Sequence, residues 1–590
     1  MSIKHSFLFP IIGLLALFVV VGCGGEKTKE TVIVQSEPAP NPNPNPDPDP
    51  DPDPDPPGCE NGKVTAFVDI QPILTRTCAN CHSGYDSFGV ASDRGKYAEF
   101  LNRINLPANN NKRMPKIPNP ELSVQEKRLL QEFADDGYNR EKVCRGGGGG
   151  VFGLMDLHDL EKVFNADLDS LNSAVGERNS RWLAVTHKKN AGASARSMET
   201  YKKGVDKSVN MLSDDRDILL TSYSDSEKTL FRIDLDALGL TADDWALVVA
   251  NDGFQFVSQT RRGRIIRDRT GSDVPWIHAD NFINIALGDP VVYNQLRRIP
   301  LKLADLLREL EVDVNGGFSG DFDARLIGGN GSRIGEQNRL ILRLEQDSTN
   351  GGYWQSFDVD NNFVAEKNLF EFPLLVVGTN KFLFDASEVI YELENNLQGF
   401  ALYNGAGIRQ VAAPINIVQD KDNPFDAEIE NGLDCARCHN KGMIPFNDQI
   451  RDHVQRNASE FLTADVEFVR ALYKSNDTNQ ALINTQNNRF QSALRKLNIS
   501  PNEPDPVNEF VDAHKRVWTL SDAAGFVVTM GTKQAGINAE DYFCQGLNDA
   551  RRILGGLCSS TIGIVTLDQM KEAFPDLIND FRLGLDPIDQ

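Results

Sequence analysis

The sequence predicts a multidomain protein, with a small, mainly α domain near its N-terminus and a larger mixed α+β region that ends in a mainly α part. Roughly 530 residues follow a proline-rich stretch, and at ~150 residues per domain this length exceeds three domains. Two Cys-x-x-Cys-His segments, at 78–82 and 435–439, lie too far apart to share one local unit. A glycine run at 146–150 divides the first segment from the chain that follows.

The first 22 residues have the form of an export signal. Lys4 precedes an apolar run over residues 7–21, which is too short to span a membrane comfortably. The tetrapeptide Val-Val-Gly-Cys at the end of this run is typical of a signal that stops before a lipid-accepting cysteine, here Cys23. Gly24 follows without an acidic neighbour, which resembles lipoproteins sent to an outer membrane. We expect an exported lipoprotein at the outer membrane that faces the periplasm or the cell surface; a plain cleaved signal or a short anchor is the alternative.

Residues 23–58 are predicted to be a lipid-anchored linker. From Asn41 to Pro57 almost every second residue is proline, alternating with Asn and then Asp. Each proline fixes its φ and biases the preceding residue to extended geometry, so the segment favours a polyproline-II-like arm of roughly 50 Å at ~3.1 Å per residue. The arm would hold the folded part away from the membrane. A disordered linker without a set length is the alternative.

The charge of the chain bears on its partners. The formal net charge is −23. Nucleic-acid binding needs clustered Lys and Arg to neutralise phosphates, so we expect no nucleic-acid partner. The acidic balance either keeps the protein soluble or steers a basic protein partner towards it.

The two Cys-x-x-Cys-His motifs predict two covalently bound haem c groups. Two thiols one helical turn apart add to the two vinyl groups of haem, and the adjacent His binds the iron. The thiols are Cys78 and Cys81 in the first motif and Cys435 and Cys438 in the second; the proximal ligands are His82 and His439. A zinc site would need a further nearby Cys or His pair, and a dithiol oxidoreductase would need a thioredoxin-like βαβ context. The first motif lacks both.

Residues 59–145 carry further signals of a small helical domain. Ile70, Ile73 and Leu74 form an apolar stripe on a helix that leads to the first pair of thiols. Downstream, Ser123 and Glu126 have the spacing of a capping box, which predicts the start of a second helix.

Met114, followed by Pro115, lies between these two helices. Together these features resemble the class I cytochrome c fold, in which a Met before a Pro closes the distal side of the iron. The resemblance implies that Met114 is the distal ligand opposite His82. Such ligation leaves no open iron position, so the first haem is expected to transfer electrons and not to bind substrate.

The remaining chain is divided by composition and pattern. Residues 146–179 are predicted to be a Gly-rich hinge and helical connector, and residues 180–395 a central α+β domain. Residues 396–590 are predicted to form the second haem-binding domain with a helical C-terminal part.

The distal ligand of the second haem is left open. Met443 follows His439 by four residues, and so short a chain cannot pass around the porphyrin edge to the opposite face. The other candidates are the methionine and histidines elsewhere in the chain: Met530, His187, His278, His453 and His514. Each of these is also a plausible surface or core residue, so an open distal position is a second interpretation.

Several segments between about 180 and 500 resemble one family. They include "WLAVTHKKNAG", "IHADNFINIALGDPVVYNQLRRIP" and "ENGLDCARCHNKGMIPFNDQIRDHV". Together they resemble large exported bacterial c-type cytochromes of the planctomycete and myxobacterial type. The resemblance offers His187 as a ligand or substrate-side residue and implies no particular reaction. Where that family has an Arg-His pair this chain has Arg343 and Leu344, which weakens a His-based catalytic role there.

Four of the nine cysteines remain after the lipid site and the haem thiols are assigned. An exported protein with an even number of spare cysteines favours disulfides. Of the three pairings we prefer Cys59 with Cys144 and Cys544 with Cys558, because each pair brackets one local unit. Free thiols are the alternative.

The function expected from these observations is electron relay between redox proteins by a membrane-anchored dihaem cytochrome. A second hypothesis is a peroxidase-like or substrate-oxidising dihaem enzyme with an open second haem. A third is a haem-bearing surface protein that binds a ligand. Whether the protein is an enzyme, and on which small molecule it would act, is left open.

Overall fold

The structure is a computed structural model that describes one short helical part and most of the chain beyond it. Of the two compact units into which the chain divides, Met1–Asp55 and Pro56–Gln590, only the second contains described residues. These are residues 67–77, 94–105, 122–123, 126–127, 129–130, 133 and 154–586, with gaps at 322, 333, 350, 361–363, 376–381, 421–426, 534–536 and 560–562. Several predicted features lie outside them: Cys23, the Pro-rich arm, Cys59, Cys78, Cys81, His82, Met114, Cys144 and the glycine run.

The described part before residue 134 consists of helical pieces around one small core. Helix α1 (Phe67–Thr77) buries the predicted stripe of Ile70, Ile73 and Leu74. Helix α2 (Arg94–Asn105) adds Tyr97, whose hydroxyl donates to the carbonyl of Leu130 over 3.0 Å. The core is apolar and aromatic, as the stripe predicted.

The predicted capping box of this part is present. The backbone N–H of Glu126 donates to Ser123 Oγ (3.2 Å), and the N–H of Ser123 donates to Glu126 Oε2 (2.7 Å). These two reciprocal bonds satisfy backbone donors that a helix start otherwise leaves unpaired.

Residues 154–586 form a mixed assembly of helices and mainly antiparallel sheets. Its elements up to residue 319 are α3 (Leu157–Ser170), α4 (Ala174–Asn179), β1 (Ser180–Ala184), α5 (Thr186–Asn190), α6 (Ala195–Leu212), β2 (Ser222–Tyr223), β3 (Leu230–Asp234), α7 (Ala242–Ala250), α8 (Arg261–Thr270), β4 (Trp276–His278), α9 (Ala279–Ala286), α10 (Pro290–Leu296), α11 (Leu303–Glu309) and α12 (Val314–Ser319). The later elements are β5 (Arg325–Asn330), β6 (Asn338–Gln346), β7 (Gly351–Asp358), β8 (Ala386–Glu392), β9 (Gln398–Asn404), β10 (Arg409–Gln410), β11 (Ala412–Ala413), β12 (Ile429–Glu430), α13 (Leu433–Cys438), α14 (Ile450–Arg456), α15 (Thr463–Leu472), α16 (Asn476–Lys496), α17 (Pro506–Lys515), α18 (Leu520–Met530), α19 (Ala539–Gly546), α20 (Arg551–Ser559) and α21 (Leu567–Phe581).

A four-stranded sheet, in the order β2-β3-β1-β4, separates two apolar cores. Side chains alternate between the faces of a strand, so β1 sends Leu183 into one core and Trp182 into the other. We call the first the large core; it extends from Leu183 to Val511. The second, the terminal core, joins α3 to the C-terminal helices α18–α21.

A six-stranded antiparallel sheet, in the order β10-β9-β8-β7-β6-β5, forms the centre of the large-core part. Every residue of its central strand β7 is buried, because both faces of the sheet are covered. Strand β9 pairs with β8 along its whole length, from Gln398 opposite Glu392 to Asn404 opposite Ala386.

The structure has no break at two of the predicted domain boundaries. The boundary between 395 and 396 falls between β8 and β9, which are hydrogen-bonded neighbours in one sheet. The boundary between 179 and 180 is also corrected, because α3, assigned to a connector, packs in the terminal core with helices near the C-terminus. Residues 396–590 are therefore shared between two cores, with strands as well as helices.

Cys544 on α19 and Cys558 on α20 form a disulfide with a Cα–Cα distance of 5.6 Å. This is one of the two pairs preferred from the sequence; the other lies outside the described residues. Among the helices in the described part of the chain, none has both the length and the apolar character needed to cross a membrane.

Candidate functional site

The second Cys-x-x-Cys-His motif begins on a backbone that only glycine fits. Gly432 has φ +102°, and a Cβ atom added there would lie 2.5 Å from the carbonyl oxygen of Leu287. On one side Asn431 Nδ2 donates to Asn294 Oδ1 over 2.7 Å, and on the other the N–H of Leu433 donates to the carbonyl of Leu287 over 2.7 Å. The Asn-Gly-Leu tripeptide thus anchors the start of α13 to the α9–α10 region.

Helix α13 places the two thiols one turn apart. Cys435 and Cys438 are partly buried, and neither is in a disulfide. His439 ends the helix, and its Nδ1 lies 3.2 Å from the carbonyl oxygen of Gly442. A carbonyl can only accept, so Nδ1 carries the proton and the lone pair is on Nε2, the atom through which such a histidine binds iron.

The motif faces a cavity of about 130 Å³ between α13 and the six-stranded sheet. The side chains that line it from the sheet and from the motif are mainly apolar: Ile341, Trp354, Val389, Ile390, Phe400, Ala401, Leu402 and Ile429, with Cys435, Cys438, His439, Met443, Ile444, Pro445 and Phe446.

The register of the sheet explains why three of the large apolar residues share one face. Trp354 is opposite Ile390, and Ile390 is opposite Phe400, so these three form one row across β7, β8 and β9. Gln486 on α16 accepts a hydrogen bond from the indole nitrogen of Trp354 over 2.9 Å and thereby orients that ring.

A charged group borders the apolar row. Arg339 Nε and Nη2 donate to the two carboxylate oxygens of Asp358 over 2.7 and 3.1 Å, and Nη2 also donates to Glu388 Oε2 over 2.6 Å. Ser356 Oγ donates to Asp358 Oδ2 over 2.6 Å. Arg339, Ser356 and Glu388 line the cavity.

Burial changes the proton affinities of this group. Burial raises the pKa of Glu388; Arg339 opposes this effect, and the neighbouring Asp358 adds to it. Burial alone would lower the pKa of Arg339, but Asp358 and Glu388 outweigh it and raise that pKa. The pKa of the Cys435 thiol is raised well above its ordinary value, chiefly by burial.

These residues fit a haem c group. The two thiols lie one helical turn apart, as attachment requires; Nε2 of His439 would supply the ligand, and the cavity beside them has mainly apolar walls. Within the described ranges no group of three or more His, Cys, Asp and Glu side chains is arranged to hold a metal ion directly.

None of the five distal candidates lines this cavity, whereas Met443 does. His453 packs edge-on against Phe370 and Phe461, with ring centroids at 5.1 and 6.2 Å. Met530 is buried in the terminal core.

The structure brings the other three candidates together, away from the cavity lining, around one carboxylate. Asp280 Oδ2 lies 3.0 Å from His187 Nε2, 2.9 Å from Lys188 Nζ and 3.2 Å from His514 Nδ1. The ring centroid of His278 lies 4.2 Å from that of His187. All five side chains are buried, and we call them the Asp280 cluster.

The strand topology explains why His187 and Asp280 lie close together. β1 and β4 are parallel neighbours, with Ala184 opposite His278, so the residues that follow them emerge at the same edge of the sheet. His187 and Asp280 follow these strands. The sequence contained a signal for this arrangement in two similar segments, Trp182-Leu-Ala and Trp276-Ile-His, which each lead into a helix.

Burial and neighbouring charges determine the pKa values of the Asp280 cluster. Burial lowers the pKa of His187 and lowers that of His278 well below its ordinary value. Burial also opposes ionisation of Asp280, but His187, Lys188 and His514 together hold its pKa well below the usual range. Because burial keeps His187 and His278 neutral near pH 7, Lys188 is the lasting counter-ion of Asp280.

No protein-family model matches the sequence, and neither the curated proteins nor the solved structures contain a match.

We expect Asp280→Asn to lower the free energy of unfolding by about 3–5 kcal/mol, because it leaves the Lys188 ammonium buried without its counter-ion. Chemical denaturation followed by circular dichroism measures this. Asp268→Asn, the same change at an exposed position on α8, is the control and should shift stability by less than about 0.5 kcal/mol. Equal effects of the two variants would contradict the role of the cluster.

The stability of the protein should fall as the pH falls below about 6.5. The unfolded chain binds protons at His187 and His278 there, whereas the folded chain resists them; each group costs about 1.4 kcal/mol per pH unit. Asp280 acts in the same direction but only below about pH 4, where its unfolded form protonates. His278→Phe keeps an aromatic ring beside Phe526 and should remove about 1.4 kcal/mol per pH unit from this slope. Denaturation midpoints at a series of pH values measure the slope, and an unchanged slope in the variant would exclude His278 as a source.

Proposed function

We propose that this chain is an exported, lipid-anchored dihaem c-type cytochrome that relays electrons between redox proteins. The observation that supports the proposal best is the placement of Cys435, Cys438 and His439 along a mainly apolar cavity. The first haem, at Cys78, Cys81, His82 and Met114, and the lipid anchor at Cys23 rest on the sequence motifs.

A bound haem supplies a one-electron carrier, and the chain's residues determine where it lies. Cys435 and Cys438 would hold the group to α13 through two thioethers, and the carbonyl of Gly442 orients the ring of His439. The apolar row of Trp354, Ile390 and Phe400 excludes water from the opposite wall. Exclusion of water lowers the local dielectric, so few solvent dipoles reorient when the charge of the site changes.

The partner in this proposal is a redox protein. The net charge of −23 favours a basic partner, because opposite charges steer diffusional encounter. The affinity would then weaken with salt, since exposed charges are screened beyond ~10 Å at 0.1 M ionic strength.

A second candidate function is an oxidoreductase with an open distal position at the second haem. The observation that favours it is that none of Met530, His187, His278, His453 and His514 lines the cavity. A small molecule could then reach the iron, with the first haem as its electron donor or acceptor.

Haem content tests the main proposal. The wild-type protein should carry two haems per chain, and replacing both Cys435 and Cys438 by Ser should leave one, because only the first motif can then form thioethers. Pyridine haemochrome spectra with protein quantified on the same sample measure this ratio. Cys544→Ser with Cys558→Ser removes as many cysteines away from the cavity and should leave the ratio at two. A ratio unaffected by the motif variant would overturn the proposal.

Electron paramagnetic resonance of the fully oxidised protein at low temperature separates the two candidate functions. With Cys78 and Cys81 replaced by Ser, only the second haem remains. An open distal position gives a high-spin signal, and a sixth protein ligand gives a low-spin one. The relay proposal predicts the low-spin signal; a high-spin signal would favour the oxidoreductase, since none of the five distal candidates lines the cavity.

A further inference from the structure

Arg339, which lines the cavity, is bonded to more carboxylate than it can neutralise. Asp358 and Glu388 both accept hydrogen bonds from the single guanidinium of Arg339. When both carboxylates are ionised, the three groups together carry one net negative charge. Charge is costly in a buried site, so such a group holds a proton more readily than an isolated carboxyl does.

Glu388 is the member of this group that can exchange the proton. Asp358 is held on both oxygens by Arg339 and accepts a further hydrogen bond from Ser356, so each of its oxygens already accepts a hydrogen bond. Glu388 receives one bond from Arg339, through Oε2, and its side chain, about 19% exposed, lines the cavity.

Groups that carry charge or bind protons face Glu388 from strands β6 and β7 and from helix α13. Arg339 on β6 and Asp358 on β7 are its charged neighbours within the sheet. The residues of α13 and its C-terminal end lie along the same cavity, and those that can carry charge or bind a proton are Asp434, Cys435, Cys438 and His439. Once the two cysteines are thioethers and His439 is a ligand, Glu388 and Asp434 are the carboxyls that remain on the cavity wall.

We propose that Glu388 binds one proton when the site at Cys435, Cys438 and His439 takes up one electron, and releases the proton when the site gives the electron up. This inference rests on the proposed haem site at Cys435, Cys438 and His439. The electron comes from the redox partner and the proton from water, and it adds to a carboxylate oxygen of Glu388. The net charge of the cavity is therefore the same before and after.

The proposal has a definite consequence for the reduction potential of this site. An added negative charge raises the proton affinity of a nearby carboxylate, and by linkage a bound proton raises the potential. Over the pH range in which only the reduced form holds the proton, the potential should fall by about 59 mV per pH unit, which is a tenfold change in proton activity for one electron.

The test is a spectroelectrochemical titration of the full-length holoprotein from about pH 5 to pH 9, a range above the ordinary pKa of a carboxyl. The variant with Cys78 and Cys81 replaced by Ser leaves a single haem, so its potential is assigned without ambiguity. In this protein we expect a pH range over which the reduction potential falls. After Glu388→Gln is added, the potential should not depend on pH, because glutamine keeps the shape of the side chain but binds no proton. The matched control, Glu345→Gln on β6, changes a half-exposed carboxylate on the same sheet that does not line the cavity, and the slope should persist.

A flat line before Glu388→Gln is introduced, or a slope that survives this change, would overturn the inference. Asp358→Asn provides a second variant: Asp358 then no longer competes with Glu388 for Arg339, and the pH-dependent range of the potential should move to lower pH.

If Glu388→Gln fails to fold, the infrared difference spectrum between oxidised and reduced wild-type protein still decides. A carboxylic acid C=O band should appear on reduction, and its absence would overturn the inference. Loss of the proposed function itself is distinguishable, because the second haem would then be missing from the haem count.

Discussion

The ion pair between Asp280 and Lys188 is the constraint on which the rest of the arrangement depends. It lies at the edge of the four-stranded sheet that separates the two cores, and it joins α5, α9 and α17 through a single carboxylate. Helix α9 begins at this carboxylate, and the carbonyl of Leu287 that follows the helix receives the N–H of Leu433. Helix α9 thus connects the buried charge at its start to the second Cys-x-x-Cys-His motif, which is hydrogen-bonded at its end.

The six-stranded sheet packs in the large core and also forms one wall of the cavity. The side chains of β7 alternate between the two faces of the sheet. Tyr353 packs in the large core on one face; Trp354, which also contacts that core, and Ser356 line the cavity on the other face. Within the cavity face, register places an apolar row beside a charged one. The same pleat that places the apolar row along the cavity therefore also places Arg339, Asp358 and Glu388 next to it.

Local features of the fold were predictable from the sequence, whereas its divisions were not. The capping box of Ser123 and Glu126 and the pairing of Cys544 with Cys558 depend on short spacings, and both are present. The boundary placed between 395 and 396 cuts a sheet, because a β-hairpin and a loop between domains have similar local composition. The joining of α3 to helices near the C-terminus is a contact between residues hundreds of positions apart, which no periodicity reveals.

By itself, the sequence determined the chemistry that rests on covalent spacing: two thiols and an adjacent histidine at each motif, and an Asn-Gly-Leu start at the second. The tertiary structure decided what surrounds that chemistry. It gathered His187, His278 and His514 around Asp280 instead of placing any of them along the cavity, and it brought Glu388 to the cavity wall although no motif marks it. The physical reason is that strand register and helix packing determine which distant side chains meet, and burial then sets their charges.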